Sequence, residues 1–334
     1  MLTKERIDLH LPNGWNACTR KELEAVAQCF IDEGQRGTHG KAYDLTTVKV
    51  DLFFRLTGLE VVAPANPEVP VEGQYYLVRR KDVPQEGRWH LRRKKEQPFA
   101  LYLYQIEQWT REELKWLDSH STLTLFPYDT LRRRGRKYCG PAPLMADWTW
   151  TQYRMATDAM SYYVQQSNAL AALANRMKLD KGSIPPSELK EQMRVVTKAK
   201  AMFLATIFVR RHRFVDSETK RLRRDWRYVS NQTIDNAEDF RTVGDAQWQV
   251  IQFWWEGMAH YLSGRYPKVI AMDDKKKPGK QPNPLEVYTR TVATMEKYLG
   301  VDEEQLGRQP FGVILQHLND IIEQSEEIEK INSK

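Results

Sequence analysis

Apolar residues recur along most of this chain at three- and four-residue intervals, the period of amphipathic helices. Leu23, Val26, Ala27, Phe30 and Ile31 form the first stripe. It opens at Thr19-Arg20-Lys21-Glu22, a capping box in which Thr19 serves the helix N-terminus and Glu22 reaches back. Val48, Val50, Leu52, Phe53 and Leu56 form the second, and Gly58 supplies its left-handed stop. Thr110-Arg111-Glu112-Glu113 reads as another capping box, starting a brief helix with Leu114 and Leu117. The second half is more strongly helical, with stripes over 149–177 (capped by Thr149), 187–211, 246–266, 285–299 and 311–331. Asp302 with Gln305 gives a fourth capping signal.

Between 75 and 106 the pattern changes. YYLV at 75–78, WHL at 89–91 and ALYLY at 100–104 are short and aromatic-rich, with Pro84, Gly87 and Pro98 between or beside them. Two or three short strands are expected, and strands are expected only there. The predicted fold is therefore mainly α, a multi-helix bundle with a small β-containing insertion near residues 75–106. Its predicted divisions are an N-terminal helical unit over 1–60, a mixed, basic, partly β insertion over 61–147, and a helical core over 148–270. A linker of composition DDKKKPGKQPNP over 273–284 then leads to a C-terminal helical arm over 285–334. In the core, the helices over 149–177, 187–211 and 246–266 should pack together, with Phe203, Trp255 and Met193 among the inward side chains. The arm has one apolar stripe per helix, too little for a core of its own, so its stripe must meet the body or another chain.

Composition narrows the class. With 334 residues, 41% hydrophobic and 28% charged, the chain can bury a core without disulfides or metals. Its three cysteines form no CxxC pair, which fits a reducing compartment. The first residues, MLTKER, have no apolar signal-peptide core, and no run approaches the ~18 apolar residues of a membrane span. No contact with a membrane and no cofactor are expected.

Reaction chemistry is sparsely represented. There is no HExxH, no paired Cys/His spacing, no GxSxG and no phosphate-binding glycine loop. Glu256 and His260 share a helix face and could supply two metal ligands, but a simple helix-stabilising pair explains them as well. Cys139 follows a basic run whose cations would favour thiolate, yet no residue nominates itself as its base. No catalytic, cofactor or metal residue is assigned, and the chain reads as a non-enzyme.

The basic segments are the strongest compositional signal. Residues 79–95, 131–137 and 210–227 are rich in Lys and Arg, with Trp89, Tyr138 and Trp226 among them. They could follow a phosphate backbone and stack on bases, in which case Arg92, Arg93, Arg132, Arg133, Arg134 and Arg211 should share one surface. The other reading is solvated faces or protein-interface arginines, and a net charge of +7 on this length is mild.

Three stretches carry a family resemblance. They are the opening LPNGWNACTRKELEAVA, the middle KYCGPAPLMADWTWTQYRMATDAMSYY and the closing NPLEVYTRTVATMEKYLGVDEEQLGRQPFGVILQHLNDIIEQSEEIEKINSK. Together they resemble a group of uncharacterised proteins encoded among virion and tail-assembly genes of Bacteroidetes tailed phages and prophages. The resemblance covers most of the chain except residues 61–110. It implies a non-catalytic structural or assembly protein of a tail or head–tail module, found in the virion or in the host cytoplasm during assembly. The implied partners are other phage structural proteins or further copies of itself, and the alternative is DNA contact through the basic segments.

Overall fold

The computed structural model describes residues 11–38, 44–66, 68–70, 73–80, 98–179, 185–210, 212–215, 222–225, 228–270 and 284–332. The fold is mainly α, with ten helices among these residues and short antiparallel sheets. In chain order the elements are α1 (Arg20–Thr38), α2 (Leu45–Leu56), β1 (Leu59–Ala63), β2 (Tyr75–Arg80), β3 (Phe99–Tyr102) and α3 (Leu103–Glu113). Next come β4 (Thr130–Arg133), β5 (Arg136–Cys139), α4 (Trp150–Leu179), α5 (Pro186–Ile207), β6 (Val209–Arg210), β7 (His212–Val215) and β8 (Leu222–Asp225). The chain closes with α6 (Thr233–Ala237), α7 (Asp245–Arg265), α8 (Pro284–Leu299), α9 (Glu303–Arg308) and α10 (Phe311–Asn332). It groups into two compact units, one of residues 1–124 with 244–257, the other of 125–243 with 258–334. α7 thus gives its first half to one unit and its last turns to the other.

In the first unit the capping box at Thr19 is complete. The Thr19 backbone N–H donates to the Glu22 carboxylate at 2.6 Å, and the Glu22 N–H donates to the Thr19 hydroxyl at 3.4 Å. Ahead of it, the Leu-Pro-x-x-Trp entry is a buried joint. Trp15 packs against Trp116 and Phe253 at 4.9 and 4.8 Å between ring centroids, and Phe253 meets Phe30 at 5.5 Å. The Trp116 indole N–H donates to the Pro12 carbonyl at 2.9 Å, and Asn16 donates to the Thr122 carbonyl while accepting from the Thr124 N–H. Asp44 caps α2 by accepting from the Thr46 and Thr47 backbone N–H groups, and the Thr47 hydroxyl first, then these N–H groups, hold its carboxyl below the usual range. The sheet β1-β2-β3 is antiparallel throughout, with Leu59 opposite Arg80 and Tyr76 opposite Leu101.

Thr110 does not start a helix. α3 begins at Leu103, directly after β3, and Thr110 sits near its end with its hydroxyl donating to the Glu107 carbonyl at 3.2 Å. The Thr-x-x-Glu spacing matched a cap, but the apolar side chains Ile106 and Leu114 had already committed the preceding turns to the core.

Strands also extend beyond the 75–106 region, against expectation. In the second unit β4 and β5 form a hairpin, Leu131 opposite Tyr138, and β6 joins it with Val209 opposite Cys139. The turn uses Arg134 and Gly135, both left-handed at φ 46° and 75°, the conformation a two-residue hairpin with native twist requires. β7 and β8 form a separate two-stranded ribbon.

Helix α4 opens as predicted, the Gln152 N–H donating to the Thr149 hydroxyl at 3.2 Å, but the Gln152 side chain turns inward and donates to the Thr206 carbonyl at 2.9 Å. That bond ties the base of α4 to the end of α5, its antiparallel partner. Around this base, Phe208 stacks on Phe240 at 5.5 Å, Phe240 meets Tyr138 at 4.9 Å, and Phe126 meets Phe208 at 5.3 Å. Phe203 is fully buried here, as its position on the stripe required.

The C-terminal helices belong to this same core. The Trp150 N–H donates to the Gln309 carbonyl at 2.9 Å, the Phe311 N–H donates to the Trp148 carbonyl at 3.1 Å, and Phe311 stacks on Tyr153. A side chain at Gly307 would place its Cβ 2.4 Å from the Thr151 hydroxyl, so glycine here lets α9 approach α4 without moving that hydroxyl. Val292, Met295, Leu306, Phe311, Ile314, Leu315 and Leu318 are buried. The stripe therefore meets the chain's own body as far as Asn319, and beyond Ile322 the helix is largely exposed. Asp302 caps α9 as expected, accepting from the Gln305 N–H at 2.8 Å. Of the expected linker, residues 273–283 lie outside the described residues.

Candidate interaction site

The residues that might have carried a reaction do not gather. Burial pushes the Cys18 and Cys29 thiols up to about 12. Cys139 is raised too, by burial first and then by Asp147, while Lys137 opposes only weakly, so the basic run before it does not make it a thiolate. On α7, Glu256 is exposed and His260 half-buried, and no group of three or more His, Cys, Asp or Glu side chains suited to a metal exists among the described residues.

The arginine set divides. Arg92, Arg93 and Arg211 lie outside the described residues. Arg132 is exposed on β4 and Arg133 half-buried. Arg134 turns toward Asp239 at 3.9 Å, and Arg136 donates to the same carboxylate at 3.3 Å. Asp239 is buried and also accepts from the Tyr138 hydroxyl at 2.5 Å. Burial and then this bond push the Tyr138 phenol up to about 12. Part of the 131–137 run is therefore a clasp, fastening the β4–β5 hairpin to the turn that carries Phe240. Asp239→Ala should cost about 2–3 kcal/mol, because it removes a buried charge-assisted acceptor and leaves the Tyr138 hydroxyl only its longer bond to Asn236 at 3.4 Å. Urea unfolding would measure it, and a loss below about 0.5 kcal/mol, the size of an ordinary surface change, would show the clasp to be idle.

The α4–α5 hairpin is the feature that sequence reasoning missed. At its base the two helices are buried, through Ala156 and Met160 on one and Ala199, Phe203 and Ile207 on the other. Over 161–177 and 186–198 the described side chains are exposed or half-buried apart from Leu173. That stretch of α4 is about 25 Å long at 1.5 Å per residue. Its seam is partly polar, Gln192 donating to both the backbone and side-chain carbonyls of Gln166 at 3.0 Å. Met193, expected inward, is 53% exposed, and Tyr162 and Val164 stand out of the same hairpin at 49% and 46%. Gln166 and Gln192 were the available signal, since paired amides at seam spacing turn the neighbouring apolar residues away from the partner helix.

A groove of about 760 Å³ runs along this hairpin past Tyr162, Met193 and Met202, bordered by Lys190, Arg194, Lys198 and Arg241. A second, of about 620 Å³, lies between the end of α7 and the start of α10 and is overhung by Leu144. Leu144 and Met145 are both held at positive φ, 54° and 56°, where side chains are strained. No helix among the described residues is long and apolar enough to cross a membrane. No protein-family model, curated protein or solved structure matches the chain.

Proposed function

We propose that this protein is a non-catalytic structural or assembly component of a tailed phage, of the tail or head–tail module, acting through protein–protein interfaces. The exposed half of the α4–α5 hairpin carries this reading. Two helices that bury little except each other, yet present Tyr162, Val164 and Met193 outward, suit docking of another chain. Grooves bordered by methionine and aromatic side chains are a usual seat for a partner helix. The family resemblance supplies the setting, and two of the stretches that carry it are the Trp15 joint and the join of α4 to the C-terminal helices.

The test is made in particles. Phage carrying Tyr162→Asp with Met193→Asp in this protein should assemble defectively, with the protein missing from purified particles by mass spectrometry. The purified variant should still show native helical circular dichroism and melting. Normal infectious particles from the variant, or from a deletion of the gene, would refute the reading. Particle-free extracts offer a check on the DNA alternative: binding that falls steeply with salt and is weakened at Arg132 would favour nucleic acid instead.

A further inference from the structure

The groove along α4–α5 has a definite charge. Lys190, Arg194, Lys198 and Arg241 border it, with Glu191 the acid in its lining. Arg194 pairs with Glu191, and Arg241 with Glu238, both at exposed positions where such pairs contribute little. Lys190 and Lys198 form no ion pair among the described residues. The floor is apolar, with Tyr162 and Met193 exposed on it.

The opposite pattern stands on α10. Its final turns read Glu323-Gln-Ser-Glu-Glu-Ile-Glu-Lys-Ile, with four acids against Lys330. Ile328 and Ile331 lie three residues apart on one face and are 58% and 71% exposed. Glu327 is one turn before Ile331 and lies beside that stripe. Among the described residues, Glu326 pairs with Lys268 at 2.6 Å. This helix end cannot fold back onto its own groove. It continues without a break from Phe311, which is fixed to the body through the Trp148 carbonyl and Tyr153, and in that fixed position its isoleucines face solvent.

We propose that the groove along α4–α5 receives the acidic end of α10 from a second copy of this chain, Ile328 and Ile331 meeting Tyr162 and Met193 while the glutamates meet Lys190 and Lys198. The proposal rests on the assembly reading above and names the partner of the same surface. The contact joins two different patches, so the copy that gives its helix end keeps a free groove and the copy that receives it keeps a free helix end. Head-to-tail contacts of this kind close into rings or run on as filaments.

Sedimentation of the purified full chain provides the test. The natural protein should form dimers and larger species as concentration rises through the micromolar range. Lys190→Glu with Lys198→Glu, and separately Ile328→Asp with Ile331→Asp, should each leave a monomer with unchanged circular dichroism and melting. Mixed in equal amounts, the two monomeric variants should form dimers and nothing larger, because each supplies the half the other lacks. If either double variant melts early, Lys198→Glu or Ile331→Ser alone takes its place in the mixture. A natural protein that stays monomeric, variants that assemble as it does, or a mixture that does not pair would each overturn the proposal. A monomer whose incorporation into particles still depends on Tyr162 and Met193 would overturn this pairing while leaving the assembly reading intact.

Discussion

Truncating Trp254 to alanine is expected to remove about 3–5 kcal/mol of stability, the usual cost of emptying a buried aromatic site. Trp254 is 1% exposed, whereas its neighbour Trp255 is only half-buried. The same change at Trp255 should therefore cost less than half as much. Denaturant unfolding followed by circular dichroism compares the two directly. Equal losses, or a larger one at Trp255, would mean that the burial of these two rings has been assigned to the wrong residue. Position 255 had been the expected core residue, spaced from Ile251, Met258 and Leu262. It lost that role because α7 is apolar nearly all round: Val250, Phe253 and Trp254 are buried together with Ile251, Met258 and Leu262. A helix with so broad an apolar surface gives the three- and four-residue period no face to select.

The second large effect concerns the C-terminus. A chain ending at residue 284 should fail to form a stable second unit. It would lose Val292, Met295, Leu306, Phe311, Ile314, Leu315 and Leu318 from the core. At about 1.5–3 kcal/mol for each fully buried side chain, the loss matches or exceeds the ~5–15 kcal/mol by which a domain is stable at all. A chain ending at residue 322 should by contrast melt like the natural protein, since it sheds mostly exposed turns. Soluble yield and the calorimetric transition would separate the two truncations. A native transition in the shorter chain would mean that these helices are an accessory and not part of the core.

What could be read from the sequence was what local chemistry decides. At Thr19, Thr149 and Asp302 the cap side chain accepts from the backbone N–H three residues on, and the stop at Gly58 uses glycine's own freedom at positive φ. The mainly α character follows from those signals and from long apolar stripes. The misreadings arose where distant contacts set the outcome. Arg-Arg-Arg-Gly-Arg-Lys at 132–137 looked like one basic surface, because its cations hid the alternation of Leu131 and Tyr138. The Arg134-Gly135 turn and the partner Asp239, about a hundred residues on, make it a hairpin held by a clasp. The hairpin surface was illegible for a related reason. Met193 fits an inward stripe by spacing, and only the antiparallel pairing through Gln166 and Gln192 turns it outward.

The placement of α7 bears on how the chain is made. The first unit takes residues 244–257 from beyond the whole of residues 125–243, which belong to the second. During synthesis Trp15 and Phe30 therefore wait for Phe253, the ring that joins their cluster. At 5–20 residues per second, the ribosome adds the intervening stretch over on the order of 10 s. For that interval a half-formed aromatic core is open to other chains, so the part that emerges first is also the part left incomplete longest.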